Sequence, residues 1–332
     1  MCVPVSMTRS DLLPAWGRIL RGYRPLLSIE ITKECPLRCP GCYAYGQDHV
    51  SNFVTLRELR DHKGDELVDG VLGLVRKYRP IHISIVGGEP LVRWRELDCL
   101  LPKLDAMRIE TQLVTSAVRP IPPHWAAIRT LHLSVSVDGL PAEHDVRRAP
   151  ATYDRILKHI EGQSVVIHCT VTRPMLQRDD YLCDFARFWS GVAAARKIWF
   201  SLYTPQENEH SLERLTAEDR SRALAQLADV KREFPKADVP RMVLEGYRRP
   251  PSSPAECLFA QTTTCISADL KTRIAPCQFG GRPVCTECGC MASSGLASIG
   301  RYALGGLVPL SALFDVSRKV GKAWSAMSTV PS

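Results

Sequence analysis

The stretch Cys35-Pro36-Leu37-Arg38-Cys39-Pro40-Gly41-Cys42 directly follows the first strand-like run of the chain. It places three thiols on one loop, close enough in sequence to bind a single metal centre, whereas the next cysteine is at position 99. An iron–sulfur cluster that only transfers electrons normally has four thiolate ligands. Three ligands leave one coordination position open for a small molecule, as a catalytic metal site requires. The alternatives are a zinc site completed by His49, or three unliganded buried cysteines.

The composition excludes several other classes of protein. The 332 residues are enough for about two domains, or for one large α/β domain with an appendage. Hydrophobic residues make up 45% of the chain and charged residues 23%, which excludes a disordered protein. The net charge of +8 is scattered rather than concentrated in runs, so we expect no nucleic-acid partner.

The cysteines also indicate the cellular compartment. Nine of the thirteen fall into two clusters, at 35–42 and 257–290, whereas a secreted disulfide protein would show scattered pairs. The sequence has neither a secretory signal nor a run of roughly 18 apolar residues, so we predict a cytoplasmic protein. The isolated cysteines are predicted to be packing residues: Cys2, Cys99, Cys169 and Cys183.

Residues 26–205 alternate strand-like and helix-like patterns, which predicts an α/β fold with a parallel sheet and right-handed crossovers. The predicted strands are 26–32, 81–86, 109–115, 131–137, 165–172 and 197–203. The predicted helices are 55–78, 92–106, 122–128, 152–162 and 179–191. A partial six-stranded barrel and a doubly wound open sheet both fit this order, and in either fold the functional loops follow the carboxyl ends of the strands. The strands are apolar enough to predict burial on both faces.

The remaining segments differ in character. They are a basic amphipathic leader at 1–25, a helix and proline-rich linker at 206–256, a cysteine-rich module at 257–290, and an apolar helical tail at 291–332. The leader and the tail are expected either to pack together on the core or to contact a membrane surface.

Three further segments lie at the ends of the next predicted strands. They are Gly87-Gly88-Glu89-Pro90, Thr115-Ser116-Ala117, and Ser134-Val135-Ser136-Val137-Asp138-Gly139, the last followed by Arg147. Two adjacent glycines let the backbone approach a ligand closely, and Glu89 with the nearby carbonyl groups can accept hydrogen bonds from an ammonium group. The side-chain period of two places Ser136 and Asp138 on the same side of their strand.

The cysteine spacing and these three segments, in this order, resemble the radical S-adenosylmethionine (radical SAM) enzymes. The resemblance implies a partial (β/α)6 barrel in which Cys35, Cys39 and Cys42 hold a 4Fe–4S cluster whose open iron binds S-adenosylmethionine. An electron from the cluster would cleave this cofactor to a 5′-deoxyadenosyl radical, which abstracts hydrogen from an unactivated C–H bond. It also implies an electron donor of the flavodoxin or ferredoxin type.

The resemblance further implies which residues contact S-adenosylmethionine. They are Tyr43, Gly87, Gly88, Glu89, Pro90, Thr115, Ser116, Ser136, Asp138 and Arg147. By this resemblance Ser136 would contact the ribose. The chain departs from the family pattern at Gly41, where many members carry an aromatic residue, so the adenine contact is assigned either to the backbone near Gly41 or to Tyr43. Ser116 and Ala117 are a second departure, since the family often has Asn-Gly there.

The cysteine-rich module follows the pattern Cys257-x7-Cys265-x11-Cys277-x7-Cys285-x2-Cys288-x1-Cys290. Residues 265–277 are predicted to form a hairpin. The module is similar to the SPASM and twitch domains of the radical SAM family, which bind auxiliary 4Fe–4S clusters. We expect one such cluster, on Cys265, Cys277, Cys285 and Cys288, with Cys257 and Cys290 as alternatives. A structural zinc knot is the competing interpretation.

The predicted function is therefore hydrogen abstraction by a radical SAM enzyme, in the maturation of a peptide or natural product. The first alternative is radical modification of a lipid, an isoprenoid or another hydrophobic small molecule, with peripheral contact to a membrane. A small soluble metabolite is a further candidate substrate. The second alternative is a non-catalytic iron–sulfur or zinc protein. The sequence indicates no general acid or base.

Overall fold

The computed structural model describes residues 9–50, 54–304 and 307–327. The predicted packing role of Cys2 lies outside these residues. The main feature is a parallel sheet with the strand order β6-β5-β4-β3-β2-β1-β7. Its strands are β1 Leu26–Glu30, β2 His82–Val86, β3 Glu110–Thr115, β4 Leu131–Ser136, β5 Val165–Val171, β6 Ala195–Leu202 and β7 Thr263–Ile266. In the described part of the chain the sheet is open between β6 and β7, which confirms the predicted partial barrel.

The helices cover the outside of this sheet and extend beyond it. They are α1 Arg9–Leu20, α2 Gly64–Tyr78, α3 Trp94–Ala106, α4 Pro141–Arg148, α5 Tyr153–His159, α6 Tyr181–Gly191, α7 Ala217–Glu233, α8 Arg241–Arg248, α9 Leu258–Thr262, α10 Met291–Arg301 and α11 Leu310–Met327. The short strands β8 Ala303–Leu304 and β9 Val308–Pro309 form a separate antiparallel pair. Two predicted helices are shorter than expected. The segment 55–78 is helical only in α2 and in a 3-10 turn at Leu56–Glu58, and 122–128 forms only the 3-10 turn Pro123–Ala127.

The two faces of the strands have different chemistry. Ile29, Ile83 and Ile85 face outward into the main hydrophobic core. The alternate residues, such as Ser28 and Ser84, face a cavity inside the partial barrel. All five residues of β1 are buried, as predicted, but the inner face is polar rather than apolar. The side-chain period of two therefore separates a packed face from a cavity face.

A seventh strand, which the sequence did not predict, joins the sheet at β1. Thr263–Ile266 pairs in parallel with β1, with Leu26 opposite Thr263 and Ile29 opposite Ile266. The predicted hairpin at 265–277 is present as a short one: Ile266 bridges Arg273 in antiparallel orientation, and Ile274 N–H donates to the carbonyl oxygen of Cys265 at 3.0 Å. A strand at the edge of a sheet presents unpaired N–H and C=O groups, and the β-branched run of β7 satisfies those of β1.

The two ends of the described chain pack against each other. Trp16 Nε1 on α1 donates a hydrogen bond to Ser317 Oγ on α11, at 3.1 Å. The helices approach closely at Gly321, where an added Cβ atom would lie 2.1 Å from the carbonyl oxygen of Ile19. This confirms the alternative in which the leader and the tail pack together. Among the described residues no helix has both the length and the apolar character needed to span a bilayer.

Candidate functional site

A cavity of about 330 Å³ occupies the inside of the partial barrel. Cys35, Cys39 and Cys42 line it at the carboxyl ends of the strands. Nine of the ten predicted cofactor-contacting residues line it too: Tyr43, Gly87, Gly88, Glu89, Thr115, Ser116, Ser136, Asp138 and Arg147. Pro90 lies outside this lining and begins the 3-10 turn behind Glu89. Segments that are more than 100 residues apart in sequence therefore meet around one space.

The cysteine loop folds tightly because Gly41 adopts a conformation that favours glycine. Its φ angle is +62°, and a Cβ atom there would lie 2.8 Å from the hydroxyl oxygen of Tyr203. Tyr203 follows β6 and packs where a larger residue at 41 would stand. Arg147 donates from Nη2 to the carbonyl oxygen of Pro40 at 3.1 Å, which fixes the loop to α4. An aromatic ring from the segment after β6 therefore packs against position 41, where this chain lacks an aromatic residue of its own.

The two glycines after β2 dock on the backbone that leads into the cysteine loop. Gly88 N–H donates to the carbonyl oxygen of Thr32 at 2.8 Å, and Glu89 N–H donates to that of Glu34 at 2.9 Å. A Cβ atom on Gly88 would lie 2.3 Å from the Glu34 carbonyl oxygen. Gly87, with a φ angle of +138°, is similarly close to Thr32. These two positions therefore need glycine because two backbone segments approach too closely there for a Cβ atom. The same glycines also line the cavity.

Glu89 joins the ends of β2 and β3 through its carboxylate. Oε1 accepts hydrogen bonds from Leu91 N–H at 2.9 Å and from Thr115 Oγ1 at 2.5 Å. Oε2 accepts from Ser116 N–H at 2.7 Å and from Ser116 Oγ at 2.5 Å. The carboxylate is buried, and these four donors saturate its ordinary acceptor capacity. Ala117, at the position after Ser116, has a φ angle of +51°, a backbone conformation that glycine adopts more easily.

Arg93 provides a second link between the turn after β2 and the cysteine loop. Its Nη1 donates to Glu34 Oε2 at 3.0 Å, and its Nη2 donates to Asp61 Oδ2 at 2.6 Å. Arg93, with Lys63, lowers the pKa of Glu34 to about 2. The residue immediately before Cys35 is therefore held as an anion by the segment that follows Glu89.

Asp138 lies at the cavity wall between two arginines. Arg148 Nε donates to its Oδ2 at 2.7 Å, Arg147 Nε is 3.3 Å from the same atom, and Thr170 N–H donates to Oδ1 at 3.0 Å. Burial alone would raise the pKa of Asp138, but the guanidinium groups of Arg148 and Arg147 hold it well below its usual range. Arg148 also lies within electrostatic reach of Cys39 and Cys42. The sequence indicated Arg147, and the adjacent Arg148, on the same helix, was missed.

Two histidines that line the cavity were also missed. His168 Nε2 lies 2.8 Å from Ser201 Oγ, and burial lowers the pKa of His168 to about 4. Burial also lowers the pKa of His82 to about 3. Both side chains are therefore neutral at physiological pH. The sequence signal that could have indicated them is a histidine within a predicted buried strand.

His49 connects the core to the cysteine-rich module. Its Nε2 lies 2.6 Å from Glu30 Oε1, and its Nδ1 lies 3.0 Å from the carbonyl oxygen of Phe279. Ser267 Oγ donates to the other oxygen of Glu30 at 2.7 Å. Tyr43, directly after Cys42, packs edge-on against Phe279 with ring centroids 5.2 Å apart. Both ring nitrogens of His49 are thus engaged, which is incompatible with its use as a fourth metal ligand beside the first three cysteines.

A second, small cavity of about 20 Å³ lies within the module. Its cysteine lining is Cys257, Cys277, Cys285, Cys288 and Cys290. Cys265, which the sequence favoured as a ligand, lies outside this lining and belongs to β7, where it pairs with Ser28 of β1. Cys290 lines both the small cavity and the large one. The module's cysteines therefore lie beside the large cavity inside the partial barrel.

The donor set fits an iron–sulfur cluster. Burial raises the pKa of the Cys35 thiol to about 11, and Glu89, Cys42 and Cys39 add to the rise, so bound iron must displace the protons of closely spaced thiols. In the described residues no three His, Cys, Asp or Glu side chains are placed to hold a single metal ion. A four-iron cluster does not require such an arrangement, because each thiolate binds a different iron atom.

The fold and the site together are those of a partial parallel barrel with three cysteines lining its cavity, at the carboxyl ends of the strands. Residues 29–187 match the family model described as the Radical SAM superfamily. These residues therefore form a radical SAM domain. A comparison with curated proteins finds no match in sequence.

Solved structures share this architecture. SuiB of Streptococcus suis, bound to the precursor peptide SuiA, is 17% identical with a TM-score of 0.55. The aligned region covers 87% of this chain and 64% of the SuiB chain, so this chain spans less than two thirds of SuiB. The protein anSMEcpe with bound AdoMet is 14% identical with a TM-score of 0.55, and the alignment covers 91% of this chain and 97% of that chain. The same protein has also been solved with the Cp18Cys peptide, with a TM-score of 0.52. At these identities the similarity shows the fold.

Proposed function

We propose that this enzyme cleaves S-adenosylmethionine reductively and abstracts a hydrogen atom from an unactivated C–H bond of a peptide or peptide-derived natural product. The observation that carries this proposal is the single cavity lined by Cys35, Cys39 and Cys42 together with Glu89 and Asp138. When bound to these thiols, a 4Fe–4S cluster would supply the electron that breaks the bond between the sulfur and the adenosyl carbon of S-adenosylmethionine, which gives methionine and a 5′-deoxyadenosyl radical. A flavodoxin- or ferredoxin-type partner would supply that electron.

The residues around the thiols have distinct roles in this proposal. Four donors already occupy the Glu89 carboxylate. We therefore assign the binding of the S-adenosylmethionine ammonium group to the backbone carbonyls of Gly87 and Gly88. Glu89 itself fixes the ends of β2 and β3. Arg148, buried beside Cys39 and Cys42, offsets the negative charge of a thiolate-bound cluster. Ser136 and the side chain of Asp138 line the side of the cavity that would contact the ribose of S-adenosylmethionine.

We also propose one auxiliary 4Fe–4S cluster in the module. Five cysteines around one small space support it, and their positions favour Cys257, Cys277, Cys285 and Cys288 as the ligands. Cys290 is the alternative ligand, and Cys265 is replaced by Cys257 in this assignment. This cluster would lie beside the cavity inside the partial barrel, so an electron can pass between the cluster and a substrate radical.

The first test is loss of cofactor cleavage in Cys39→Ala. With S-adenosylmethionine and dithionite under anaerobic conditions, the unmodified enzyme should form 5′-deoxyadenosine, and Cys39→Ala should form none above background. Cys99→Ala is the control, because Cys99 is exposed on α3. Full activity in Cys39→Ala, or zinc in place of iron in the unmodified protein, would contradict the proposal.

The substrate class is supported by two kinds of observation. SuiB and anSMEcpe, which share the fold, have been solved with peptides bound. The cavity also offers polar groups, including Ser84, Gln112 and Ser201, beside apolar ones such as Val86 and Val114, which suits a substrate with both polar and apolar parts, as a peptide has. For the lipid alternative, α11 carries an exposed apolar stripe next to Lys319 and Lys322. Its members are Val316, Val320, Trp324 and Met327.

Deuterium transfer distinguishes these substrate classes. Cells grown in heavy water supply deuterated peptide, lipid and small-metabolite fractions, each of which is incubated with the enzyme and S-adenosylmethionine. Mass spectrometry of the 5′-deoxyadenosine should show deuterium only with the peptide fraction. Label from the lipid fraction alone would establish the lipid alternative instead. Cytoplasmic location and membrane contact stay predictions.

A further inference from the structure

The segment between Cys285 and Cys288 is held by an arginine that lies outside the cysteine-rich module. Arg220 on α7 donates from Nη1 to the carbonyl oxygen of Glu287 at 2.9 Å. Its Nη2 donates to the carbonyl oxygens of Cys288 at 3.3 Å and of Tyr247 on α8 at 3.2 Å. One guanidinium group therefore ties two helices to the backbone of a proposed ligand.

The charge of Arg220 is offset less directly than that of an ion-paired arginine, although Glu287 and Cys288 act on it through space. Within the part of the chain that the structure describes, its acceptors are three neutral carbonyl oxygens, and it makes no ion pair. The neighbouring Arg214 differs, because its Nε donates to the Glu287 carboxylate at 3.0 Å and the two charges offset each other. Arg220 is also partly shielded from water, where charges interact more strongly than at the surface.

A planar guanidinium with several parallel donors is suited to fixing a loop backbone, whereas a lysine ammonium is a single flexible charge. Hydrogen bonds and charges around cluster thiolates are among the factors that set the reduction potential of iron–sulfur centres. A nearby positive charge stabilises the reduced state, which carries one more negative charge than the oxidised state.

We propose that Arg220 is a positioning residue for the auxiliary cluster: it holds the Cys285–Cys288 segment in place and raises the reduction potential of the cluster. The inference rests on the proposed function, since it requires iron and sulfur at Cys288. It assigns the helix α7, which lies outside both the radical SAM domain and the module, a role in electron transfer.

The test uses the full chain with both clusters, titrated anaerobically and followed by electron paramagnetic resonance. Arg220→Gln removes the charge but keeps an amide donor, and Arg220→Lys keeps the charge but loses the planar fork. Arg220→Gln should lower the midpoint potential of the auxiliary cluster and leave that of the first cluster unchanged. Arg220→Lys should stay near the unmodified value.

Arg222→Gln is the matched control. Arg222 lies on the same helix, donates to the carbonyl oxygen of Leu176 at 2.8 Å and faces away from the module. Its replacement should change neither potential. Both Arg220 variants should lose the auxiliary cluster to an iron chelator faster than this control does.

Two results would overturn the inference. One is an unchanged auxiliary potential in Arg220→Gln when both clusters are present. The other is a chelation rate in Arg220→Lys equal to that of the control, which applies even if Arg220→Gln does not fold. A failure of the proposed function is distinct from these, since the unmodified protein would then contain zinc in the module or iron for one cluster only.

Discussion

At the scale of single residues, the site depends on glycines that permit contact between two backbones. Gly87 and Gly88 allow the segment after β2 to dock against Thr32 and Glu34 just before the cysteine loop. Glu89 then anchors the same segment to β3 through Thr115 and Ser116. The Gly-Gly-Glu segment therefore determines the position of the thiols as well as the shape of the cavity.

Gly88→Ala tests this role. The added Cβ atom would lie 2.3 Å from a backbone oxygen of Glu34, which cannot move without displacing the cysteine loop. We expect a loss of about 1–3 kcal/mol in the free energy of unfolding. We also expect about tenfold weaker binding of S-adenosylmethionine, measured by isothermal titration calorimetry.

Gly73→Ala is the control for that variant. Gly73 lies within α2, and a Cβ atom there would meet no atom within 4 Å. Since alanine favours helix, this change should be neutral or stabilising by up to about 1 kcal/mol. Normal cofactor affinity in Gly88→Ala would show that the close contact does not position the thiols.

At the scale of elements, the buried pair of Glu30 and His49 joins β1 to the loop after Cys277. Both acceptors of the imidazole, the Glu30 carboxylate and the Phe279 carbonyl, favour the doubly protonated ring. Burial alone would lower the pKa of His49, but these two acceptors raise it above the ordinary 6.5. The pair therefore favours the protonated imidazole of His49 more than water does.

This pair predicts a pH dependence of stability. A group whose pKa is raised on folding stabilises the protein fully below its unfolded pKa, and that stability is lost as the pH rises through the folded pKa. His49→Gln should therefore cost about 1–3 kcal/mol at pH 6. The difference from the unmodified protein should shrink as the pH rises above the ordinary histidine pKa of 6.5, measured by urea unfolding.

His124→Gln is the control, because His124 is exposed and pairs with Asp98 at the surface. Its effect should be within about 0.5 kcal/mol at every pH. A cost of His49→Gln that grows with rising pH would contradict the assignment of a charged imidazole.

At the scale of the whole molecule, β7 makes the core and the module one unit. The strand joins β1, and the cysteines of the module lie on both sides of it in the sequence. Ile266 is buried in the main hydrophobic core at the point where the two parts meet. The position of the module's cysteines relative to the cavity inside the partial barrel thus depends on the pairing of β7 with β1.

Ile266→Ala should therefore affect both cysteine sites. We expect a loss of about 2–5 kcal/mol in the free energy of unfolding, since the change leaves a cavity in the core. Iron content per chain should fall at both sites, measured by iron analysis and electron paramagnetic resonance. Leu212→Ala, at an exposed position, should leave both quantities unchanged. Loss of iron from the module alone would show that the two parts fold independently.

Much of the fold was predictable because it is encoded locally. The six predicted strands of the core all occur, since each is a short run of apolar and β-branched residues. The helix predicted from 55 was wrong in its first part. Thr55 and Glu58 instead close a separate turn, and Gly64, with a φ angle of +56°, interrupts the pattern. The polar inner face of the strands was not anticipated, because a local pattern does not distinguish a packed interior from a cavity.

The sequence by itself predicted the donor set: the spacing of Cys35, Cys39 and Cys42, and the order of the strand-end segments, indicated which residues line one cavity. Only the tertiary structure decided the partners across long sequence separations. It placed Cys265 in the sheet, Arg148 beside Asp138, and His49 against Phe279. The physical reason is that ligand type and turn conformation are local properties. Contacts between segments, in contrast, depend on the order in which the strands pair and on which face each side chain then occupies.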